Sequence, residues 1–297
     1  ANLRFIKIKS LKNFYFLTVL ILLSCSDKVS MQEFDSAEII KTIVLPKTIN
    51  ETSGLEFYNK NFITHNDSGD GPSLYVFNEN GDLIKTIDLN KDANFEIENN
   101  DWEDIASDDK YLYVADTGNN FGNRSNLNII RVNKEDDYKV DGIIEILYAD
   151  QETFFPRPKH KYDAEAILVI DEQLVLFSKD RENLNTDLYL VDKFEKAAQK
   201  LTSEFDFNVN SLITGGDYKN ELKLLALVSY NSQGNQYLIL FERFDLENLE
   251  ENTFKKYIIP LEKAQIESIK IIDKKTFWVT SEDEGVGNPI MYKLKVK

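Results

Sequence analysis

"NNDWEDIAS", residues 99–107, is the stretch that decides the fold of this 297-residue chain. It places the carboxylates of Asp101, Glu103 and Asp104 around Trp102, and an apolar strand pattern in "DDKYLYVADTGNN" follows at once. A cluster this rich in Asn and Asp is usually a solvated loop. Its fusion to an apolar run and its recurrence along the chain indicate a repeated strand unit instead.

The motif recurs at nearly constant spacing. Equivalent to "DWEDIAS" at 101 are "ETSGLEF" at 51, "DAEAILV" at 163, "ITGGDYK" at 213 and "QIESIKI" at 265. The third positions of the five motifs are separated by 50, 62, 50 and 52 residues. Each motif is followed by a second and a third short apolar strand pattern, and most by a fourth, such as "KLTSEF" at 200–205 in the third repeat. Repeats of about 40 to 50 residues with four strands each are typical of β-propeller blades.

The sequence therefore predicts an all-β fold, a single β-propeller domain over residues 39–297 with five blades. The fifth repeat has no fourth strand pattern, and we expect the N-terminal pattern "IIKTIVL" at 39–45 to supply it and close the ring. Six blades are the alternative, with the additional blade inside the longer interval between residues 103 and 165. The segment at 192–201 has helix-like composition and is short enough to be a loop.

The first 24 residues have the pattern of a secretory signal peptide, since basic residues precede an apolar run too short for a transmembrane helix. "LLSC" at 22–25 resembles a bacterial lipobox, which implies that Cys25 is lipidated after cleavage. The alternative is a buried cysteine behind an uncleaved apolar anchor. Asp27 follows Cys25 closely and resembles the acidic residues behind the lipidated cysteine that act as a surface-export signal in some lipoproteins of the Bacteroidota. We expect residues 25–38 to form a lipidated tether on an outer-membrane lipoprotein, facing either the periplasm or the cell surface.

The chain is strongly acidic, with 35 basic and 51 acidic residues and a formal net charge of −16 at pH 7. Nucleic acid is excluded as a partner, because binding it requires clustered Lys and Arg. The single cysteine leaves the lipidated chain without a disulfide, so its stability must come from a core. An acidic exterior favours a cation as the bound ion.

In a propeller the first strand of each blade lines a central channel, so acids at equivalent motif positions form a ring at its mouth. The residues expected there are Glu51, Asp101, Glu103, Asp163, Glu165 and Glu267, with His65, Asp67, Asp116, Lys179 and Glu282 from the loops after the second strands and Asp217 from the fourth repeat. Carboxylates confined together must take up a proton, accept hydrogen bonds or share a cation. The alternative is that these acids cap backbone amides of neighbouring blades or solvate a water-filled channel.

Oxygen ligands favour calcium or magnesium over zinc, and the two histidines are too far apart in sequence for a zinc motif. We expect Ca²⁺ as the cofactor, with Glu103, Glu165 and Glu267 as its ligands. If the protein is an enzyme, Glu103, Asp163 and Glu165 are the candidate catalytic residues. The basic residues at 157–161 either bind an anionic group or balance neighbouring acids. Trp102 and Trp278 are expected to pack between blades rather than to form a sugar platform.

These motifs resemble a group of secreted and lipoprotein bacterial β-propellers that carry DWEDIA and DAEA motifs. Residues 101–106, 116–120, 163–166 and 214–217 match the group in the same order, and Asn119 stands where the group has Asp. More distantly, the chain is similar to lactonase-like and esterase-like phytase propellers. That resemblance implies a propeller whose channel acids hold calcium.

Three functions stay open. The favoured one is a lipid-anchored propeller that binds a small ligand or a protein partner at an acidic channel, because no complete catalytic constellation can be assembled. The second is a metal-dependent hydrolase, of the lactonase or phosphoesterase kind or a glycosidase, that uses the channel carboxylates. The third is a scaffold subunit of an outer-membrane complex, for which an exposed apolar patch outside the channel is expected.

Overall fold

The computed structural model describes residues 34–297, apart from residues 92, 94, 95, 262, 263 and 283–286. The predicted signal peptide (1–24), the predicted lipidation site Cys25 and most of the predicted tether lie outside the described residues. Within the described part, no helix is long and apolar enough to cross a bilayer.

Five sheets, which we call blades 1 to 5, contain the 22 strands of the described residues. The chain opens with β1 (Asp35–Ser36) and β2 (Glu38–Val44). Blade 1 consists of β3 (Thr52–Tyr58), β4 (Asn61–Asn66), β5 (Ser73–Phe77) and β6 (Leu83–Asp88). Blade 2 consists of β7 (Asp104–Ser107), β8 (Tyr111–Asp116), β9 (Asn128–Asn133) and β10 (Lys139–Tyr148), with β14 (Gln199–Leu201) on its outer edge.

Blade 3 consists of β11 (Ala164–Ile170), β12 (Gln173–Ser178), β13 (Thr186–Asp192) and β15 (Phe205–Phe207). Blade 4 consists of β16 (Leu212–Lys219), β17 (Leu224–Tyr230), β18 (Gln236–Glu242) and β19 (Lys255–Ile259), with β1 on its outer edge. Blade 5 consists of β20 (Ile266–Asp273), β21 (Thr276–Ser281), β22 (Ile290–Lys295) and β2. Short 3-10 turns lie at Lys47–Ile49, Asn220–Leu222 and Leu249–Glu251.

The blades close into a ring through five buried apolar clusters. Each cluster joins one pair of neighbours: blades 1 and 2, 2 and 3, 3 and 4, 4 and 5, and 5 and 1. The first strands of the blades contact each other in the same cyclic order. The prediction of a five-bladed β-propeller is therefore confirmed, and the six-bladed alternative is wrong.

The second strands of the blades show why the sequence has continuous apolar runs rather than a polar and apolar alternation. In β8 the side chains of Tyr113 and Ala115 belong to the cluster between blades 2 and 3, whereas those of Leu112 and Val114 belong to the cluster between blades 1 and 2. Successive side chains of a strand point to opposite faces of its sheet. A strand covered on both faces therefore requires an apolar residue at every position.

The N-terminal strand closes the ring as predicted. β2 pairs antiparallel with β22, from Glu38 opposite Lys295 to Val44 opposite Ile290. β1 pairs in parallel with β19, with Asp35 opposite Tyr257. The blade structure therefore begins within the segment predicted as tether, and the predicted boundary at residue 39 is a few residues too late.

The segment between blades 2 and 4 corrects one strand prediction. "KLTSEF" at 200–205 does not form a single fourth strand, because its apolar residues belong to different cores. Leu201 packs between blades 2 and 3 on β14, which pairs in parallel with β10, and Phe205, at the start of β15, packs against the cluster between blades 3 and 4. The helix-like segment at 192–201 forms no helix, because residues 193–198 are bends and irregular backbone and Gln199–Leu201 is β14.

Both tryptophans pack between blades as expected. Trp102 is fully buried in the cluster between blades 1 and 2, and Trp278 is buried between blades 5 and 1. Neither ring is available as a sugar platform. The glycines of "TGGD" at 214–217 allow the first strands of blades 4 and 5 to approach closely. A Cβ on Gly215 would lie only 2.7 Å from the carbonyl oxygen of Glu267 on blade 5.

Candidate functional site

The N-terminal ends of the first strands meet at one face of the propeller. Nearly equivalent motif positions of neighbouring first strands are in contact, such as Gly54 with Ile105 and Gly215 with Glu267, so these strands run in the same direction. The opening there, which we call the acidic mouth, has a volume of about 90 Å³. It is lined by Glu51, Ser53, Asp67, Glu103, Asn120, Glu165, Lys179, Gln265, Glu267 and Glu282. The repeat alignment predicted most of this set.

Two groups of three carboxylates each include residues that line the acidic mouth, and the groups share one member. Asp67, Asp101 and Glu103 form the first triad, and Glu103, Asp163 and Glu165 form the second. In each triad one oxygen atom from every residue lies within 4.8 Å of the others. Calcium binds oxygen at about 2.3 to 2.6 Å, so two ligands of one ion are at most about 5 Å apart. The spacing of both triads is therefore compatible with a shared cation.

Burial keeps several of these carboxyl groups partly protonated near neutral pH. It raises the pKa of Asp67 to about 8, and the charges of Asp101 and Glu165 act in the same direction. Burial raises the pKa of Glu103 well above its ordinary value, and Glu165 and Asp67 raise it further. Burial also raises the pKa of Glu165 to about 7, although the Lys179 ammonium opposes this rise. A cation bound here would displace protons.

Basic side chains of the described residues pair with Asp163 and Glu165, two members of the second triad, but with no member of the first. Lys179 Nζ lies 2.9 Å from Glu165 Oε2, and Arg181 Nη2 lies 2.6 Å from Asp163 Oδ2. Among the described residues, no ion pair reaches Asp67, Asp101 or Glu103. Uncompensated negative charge is therefore concentrated in the first triad. The sequence analysis did not identify Arg181. Its position two residues after Lys179, in a loop already predicted to reach the mouth, could have indicated a second basic residue there.

The backbone of the loop after β8 packs directly on the first triad. The Gly118 amide donates a hydrogen bond to the Asp101 carbonyl oxygen at 3.1 Å. A Cβ on Gly118 would overlap Glu103 Oε1 and lie 2.5 Å from Asp101 Oδ2. One residue further, the Asn119 amide donates to Asp163 Oδ1 at 2.7 Å. This loop thus holds carboxylates of both triads, and a side chain at residue 118 would occupy the site.

Asp116 supports the site from behind rather than facing the mouth. It is fully buried, and its carboxylate accepts hydrogen bonds from the Asp101 amide at 3.1 Å and from Asn100 Nδ2 at 2.8 Å. Arg124 Nη2 lies 2.8 Å from its Oδ1 atom. Asp116 therefore fixes the turn that carries Asp101. Arg124, which sequence reasoning also left out, supplies its counter-charge.

His65 is not among the residues that line the mouth. Its ring is fully buried, packs edge-on against Trp102 with centroids 5.5 Å apart, and shares a hydrogen bond of 3.0 Å between Nδ1 and the Asn66 carbonyl oxygen. Burial lowers the pKa of His65 to about 4, so the ring is neutral. The structure places it in the core beside the site rather than in it.

The amide-capping alternative applies to Asp104. Its Oδ2 atom accepts hydrogen bonds from the Ile167 amide at 3.0 Å and from the Gly216 amide at 3.3 Å, which belong to blades 3 and 4. Its Oδ1 atom accepts the Ile105 amide at 2.8 Å. This carboxylate ties three blades together inside the ring and is no part of the mouth.

Asp217 lies away from the mouth, toward the C-terminal end of its first strand, which corrects its prediction as a mouth residue. Its Oδ2 atom accepts the Ile271 amide at 2.7 Å, and its Oδ1 atom lies 2.8 Å from Lys270 Nζ. The same ammonium lies 2.9 Å from Glu56 Oε1. Asp217 stands five residues after the start of β16, so it lies further along its strand than the first-strand residues that line the mouth.

Glu267 lines the mouth but belongs to neither triad. Gln265 Nε2 donates a hydrogen bond to its carboxylate. Burial raises the pKa of Glu267 well above its ordinary value, with Lys179 opposing and Glu282 adding to the rise. Among the described residues, Glu103 and Glu165 of the predicted metal set are brought together, and Asp67, Asp101 and Asp163 take the place of Glu267.

The donor set of the first triad fits a hard cation. All of its donors are carboxylate oxygens, which calcium and magnesium prefer. Asp67 Oδ1 is buried and has no hydrogen-bond partner among the described residues. A buried oxygen without a partner is costly unless a ligand or water satisfies it. A divalent ion bound by Asp67, Asp101 and Glu103 would satisfy it.

No protein-family model matches the chain, and no curated protein matches it in sequence. Among solved structures, it is similar to a chain in a crystal structure of the mitotic checkpoint complex, with 10% identity, a TM-score of 0.46, and coverage of 96% of this chain and 99% of that chain. It is also similar to a hypothetical protein from Leishmania major, with 9% identity, a TM-score of 0.49, and coverage of 87% and 91%. The WD40 domain of Neurospora crassa Pan2 matches with 9% identity, a TM-score of 0.40, and coverage of 82% and 74%. Similarities at this level carry no information on ligand or activity.

Proposed function

We propose that this chain is an extracytoplasmic, lipid-anchored β-propeller that binds a small ligand or a protein partner at its acidic mouth through a calcium ion. The observation that carries the proposal is the pair of carboxylate triads that share Glu103. The lipobox-like segment ending at Cys25 supports the outer-membrane location. The acidic surface of the chain suits attraction of a cation from solution.

The first triad is the better calcium site of the two. Lys179 and Arg181 already compensate Glu165 and Asp163, whereas Asp67, Asp101 and Glu103 have no paired base among the described residues. Calcium takes six to eight oxygen ligands, so three carboxylates leave coordination positions for a ligand. The protein's own residues would hold the ion and orient those positions toward the opening of the channel.

Thermal unfolding with chelator and with added metal tests this proposal, together with metal analysis of the purified protein. A ligand that binds only the folded state stabilises it by about 2.7 kcal/mol at a concentration of 100 Kd. We expect CaCl₂ to raise the melting temperature above that in EDTA, and Glu103→Gln to abolish this rise. The matched control is Glu172→Gln, because the Glu172 side chain is 93% exposed and does not line the mouth.

Two results would contradict the calcium site. One is a melting temperature that is the same in EDTA, CaCl₂ and MgCl₂. The other is a calcium-dependent rise that persists unchanged in Glu103→Gln.

A hydrolase is the second candidate, and one observation favours it. Glu165, with a pKa of about 7, has a carboxylate oxygen within 4.8 Å of one from Glu103. Glycosidases that retain configuration use two carboxyl groups about 5 Å apart, one of which holds a proton near neutral pH. Assays with chromogenic glycosides, esters and phosphate esters test this candidate. Turnover that Glu165→Gln removes would support it, and its absence from all three substrate classes would exclude it.

A further inference from the structure

Two loops beside the acidic mouth are joined into one unit. The first follows β8 at residues 117–127, and the second joins β10 to β11 at residues 149–163. Gln151 Nε2 donates to the Gly122 carbonyl oxygen at 2.8 Å, and the Arg157 amide donates to the Phe121 carbonyl oxygen at 2.8 Å. Nearer the channel, Asn119 Nδ2 donates to the Tyr162 carbonyl oxygen at 2.7 Å. These bonds fix the second loop against the first along its length.

Three phenylalanines of this loop pair are exposed, and we call them the aromatic rim. Phe121 is 59% exposed, Phe154 is 42% exposed and Phe155 is 79% exposed. Burying a phenylalanine side chain contributes about 1.5 to 3 kcal/mol relative to leaving it in water. Clustered exposed apolar groups on a soluble protein mark binding sites. The hydrogen bonds of the loop backbone make this a fixed surface.

The aromatic rim is continuous with the acidic mouth. Asn120, which precedes Phe121, lines the mouth. Its Oδ1 atom accepts a hydrogen bond from Arg181 Nη2 at 2.6 Å, and Arg181 in turn binds Asp163 of the second triad. A ligand that lies on the rim can therefore reach the carboxylates of the mouth.

The rim also carries positive charge in a chain of net charge −16. The Arg157 guanidinium lies over the Tyr162 ring at 5.3 Å, and no carboxylate among the described residues forms an ion pair with it. Its Nε atom is buried without a hydrogen-bond partner. Lys159 is exposed in the same loop. The rim therefore combines apolar surface with unpaired cationic groups, which suits an organic anion with an aromatic or aliphatic body.

We infer that the mouth and the aromatic rim together bind an amphiphilic small molecule, whose apolar body packs on Phe121 and Phe155 and whose anionic group lies between Arg157 and the calcium ion. This inference rests on the proposed function, because without a cation the carboxylates of the mouth would repel an anion. The ligand class is thus an organic anion such as an aromatic carboxylate, sulfonate or phosphate ester.

Fluorescence titration with 1-anilinonaphthalene-8-sulfonate, an aromatic anion, tests the inference on the full-length protein. We expect saturable, blue-shifted fluorescence in CaCl₂ and at least tenfold weaker binding in EDTA. Phe155→Ser and Arg157→Gln should each weaken binding about tenfold in CaCl₂, and Arg157→Lys should restore part of it. Phe194→Ser is the matched control, because Phe194 is a 56% exposed phenylalanine that lies outside this loop pair.

The outcomes separate this inference from the proposed function. If calcium raises the melting temperature but Phe155→Ser binds the dye as the wild type does, or Phe194→Ser weakens it equally, the inference is wrong and the calcium site stands. If calcium has no effect on melting while dye binding still requires Phe155, the proposed function fails and the rim alone is a binding surface. Sedimentation with phosphatidylglycerol vesicles that depends on Phe155, without saturable dye binding, would replace the small ligand by a membrane surface.

Discussion

Asp101, Glu103 and Asp104 are close neighbours in sequence, yet they have different environments. Glu103 lines the mouth and Asp101 lies beside it in the first triad, and burial raises the pKa of both groups. Asp104 lies inside the ring, and its carboxylate accepts amide hydrogen bonds from blades 2, 3 and 4. Consecutive strand residues point to opposite faces, and this separates Glu103 from Asp104. One short motif thus supplies both a candidate ligand set and a structural tie.

Gly118 offers a test of the site that leaves every charge unchanged. In Gly118→Ala the new Cβ would overlap Glu103 Oε1 and crowd Asp101, so both carboxylates must move apart. We expect the calcium-dependent rise in melting temperature to be lost, with the melting temperature in EDTA lowered by a few degrees, about 1 kcal/mol. Gly234→Ala is not a suitable control, because a φ of 82° is itself strained for alanine. A Cβ on Gly287 would have no atom of the described residues within 4 Å.

Gly287→Ala therefore serves as the control in calcium-dependent melting, and it should keep the full rise. A calcium-dependent rise of wild-type size in Gly118→Ala would show that the ion binds elsewhere.

At the scale of strands, the first strands of three blades are tied by one ammonium group. Lys270 on β20 bridges Glu56 on β3 and Asp217 on β16, and both carboxylates are buried. Removing one partner of a buried ion pair leaves unpaired buried charge and costs about 3 to 5 kcal/mol. We expect Lys270→Met to lower the free energy of unfolding by about 3 kcal/mol in urea titrations, near the low end because the lysine side chain is 19% exposed.

The matched control is Lys255→Met, which breaks a lysine and glutamate pair of nearly the same length. Lys255 Nζ lies 3.0 Å from Glu242 Oε1, but both side chains are more than 60% exposed. An exposed pair contributes less than about 1 kcal/mol. Equal losses in the two variants would show that the Lys270 network does not hold the blades together.

The sequence predicted the positions of the strands better than it predicted the roles of individual acidic residues. Each strand is a short apolar run, and the repeat spacing gave the blade count and the closure by β2. The 62-residue interval between Glu103 and Glu165 suggested an additional blade as the alternative. Its additional residues instead form the loops of the aromatic rim. Asp217 was predicted at the mouth and Glu267 among the metal ligands because motif alignment gives only the position of a residue along its strand. The alignment does not give the contacts across the ring, which decide whether a carboxylate accepts amide hydrogen bonds or faces other carboxylates.

At the scale of the whole molecule, the buried carboxyl groups predict how stability depends on pH. The pKa of Asp67 is about 8 and that of Glu165 about 7 in the folded protein, above their ordinary values of 3.8 and 4.5. The folded protein therefore retains protons that the unfolded chain has released. This contribution to stability is complete only below about pH 4, and it is lost progressively until the pH passes 7 for Glu165 and 8 for Asp67. His65 contributes little to this slope above about pH 7.5, because its lowered pKa keeps the ring neutral in the folded state and the unfolded ring has by then also lost its proton.

We therefore expect the melting temperature in EDTA to fall between pH 6.5 and pH 8.5. With CaCl₂ the fall should be smaller, because the ion favours the ionised carboxylates and competes better with protons as the pH rises. Differential scanning calorimetry across this range in both buffers measures the two slopes. A melting temperature in EDTA that is constant or rises with pH would contradict the assignment of protonated carboxyl groups to the mouth.

The pairing of β2 with β22 brings the two ends of the propeller together, with Glu38 opposite Lys295. Both ends belong to the sector of blades 4 and 5, whereas the loops of the aromatic rim come from blades 2 and 3. Ring closure and ligand approach therefore use different parts of the circumference. Opening the seam between β2 and β22 would leave in place the backbone and side-chain hydrogen bonds that join the two rim loops.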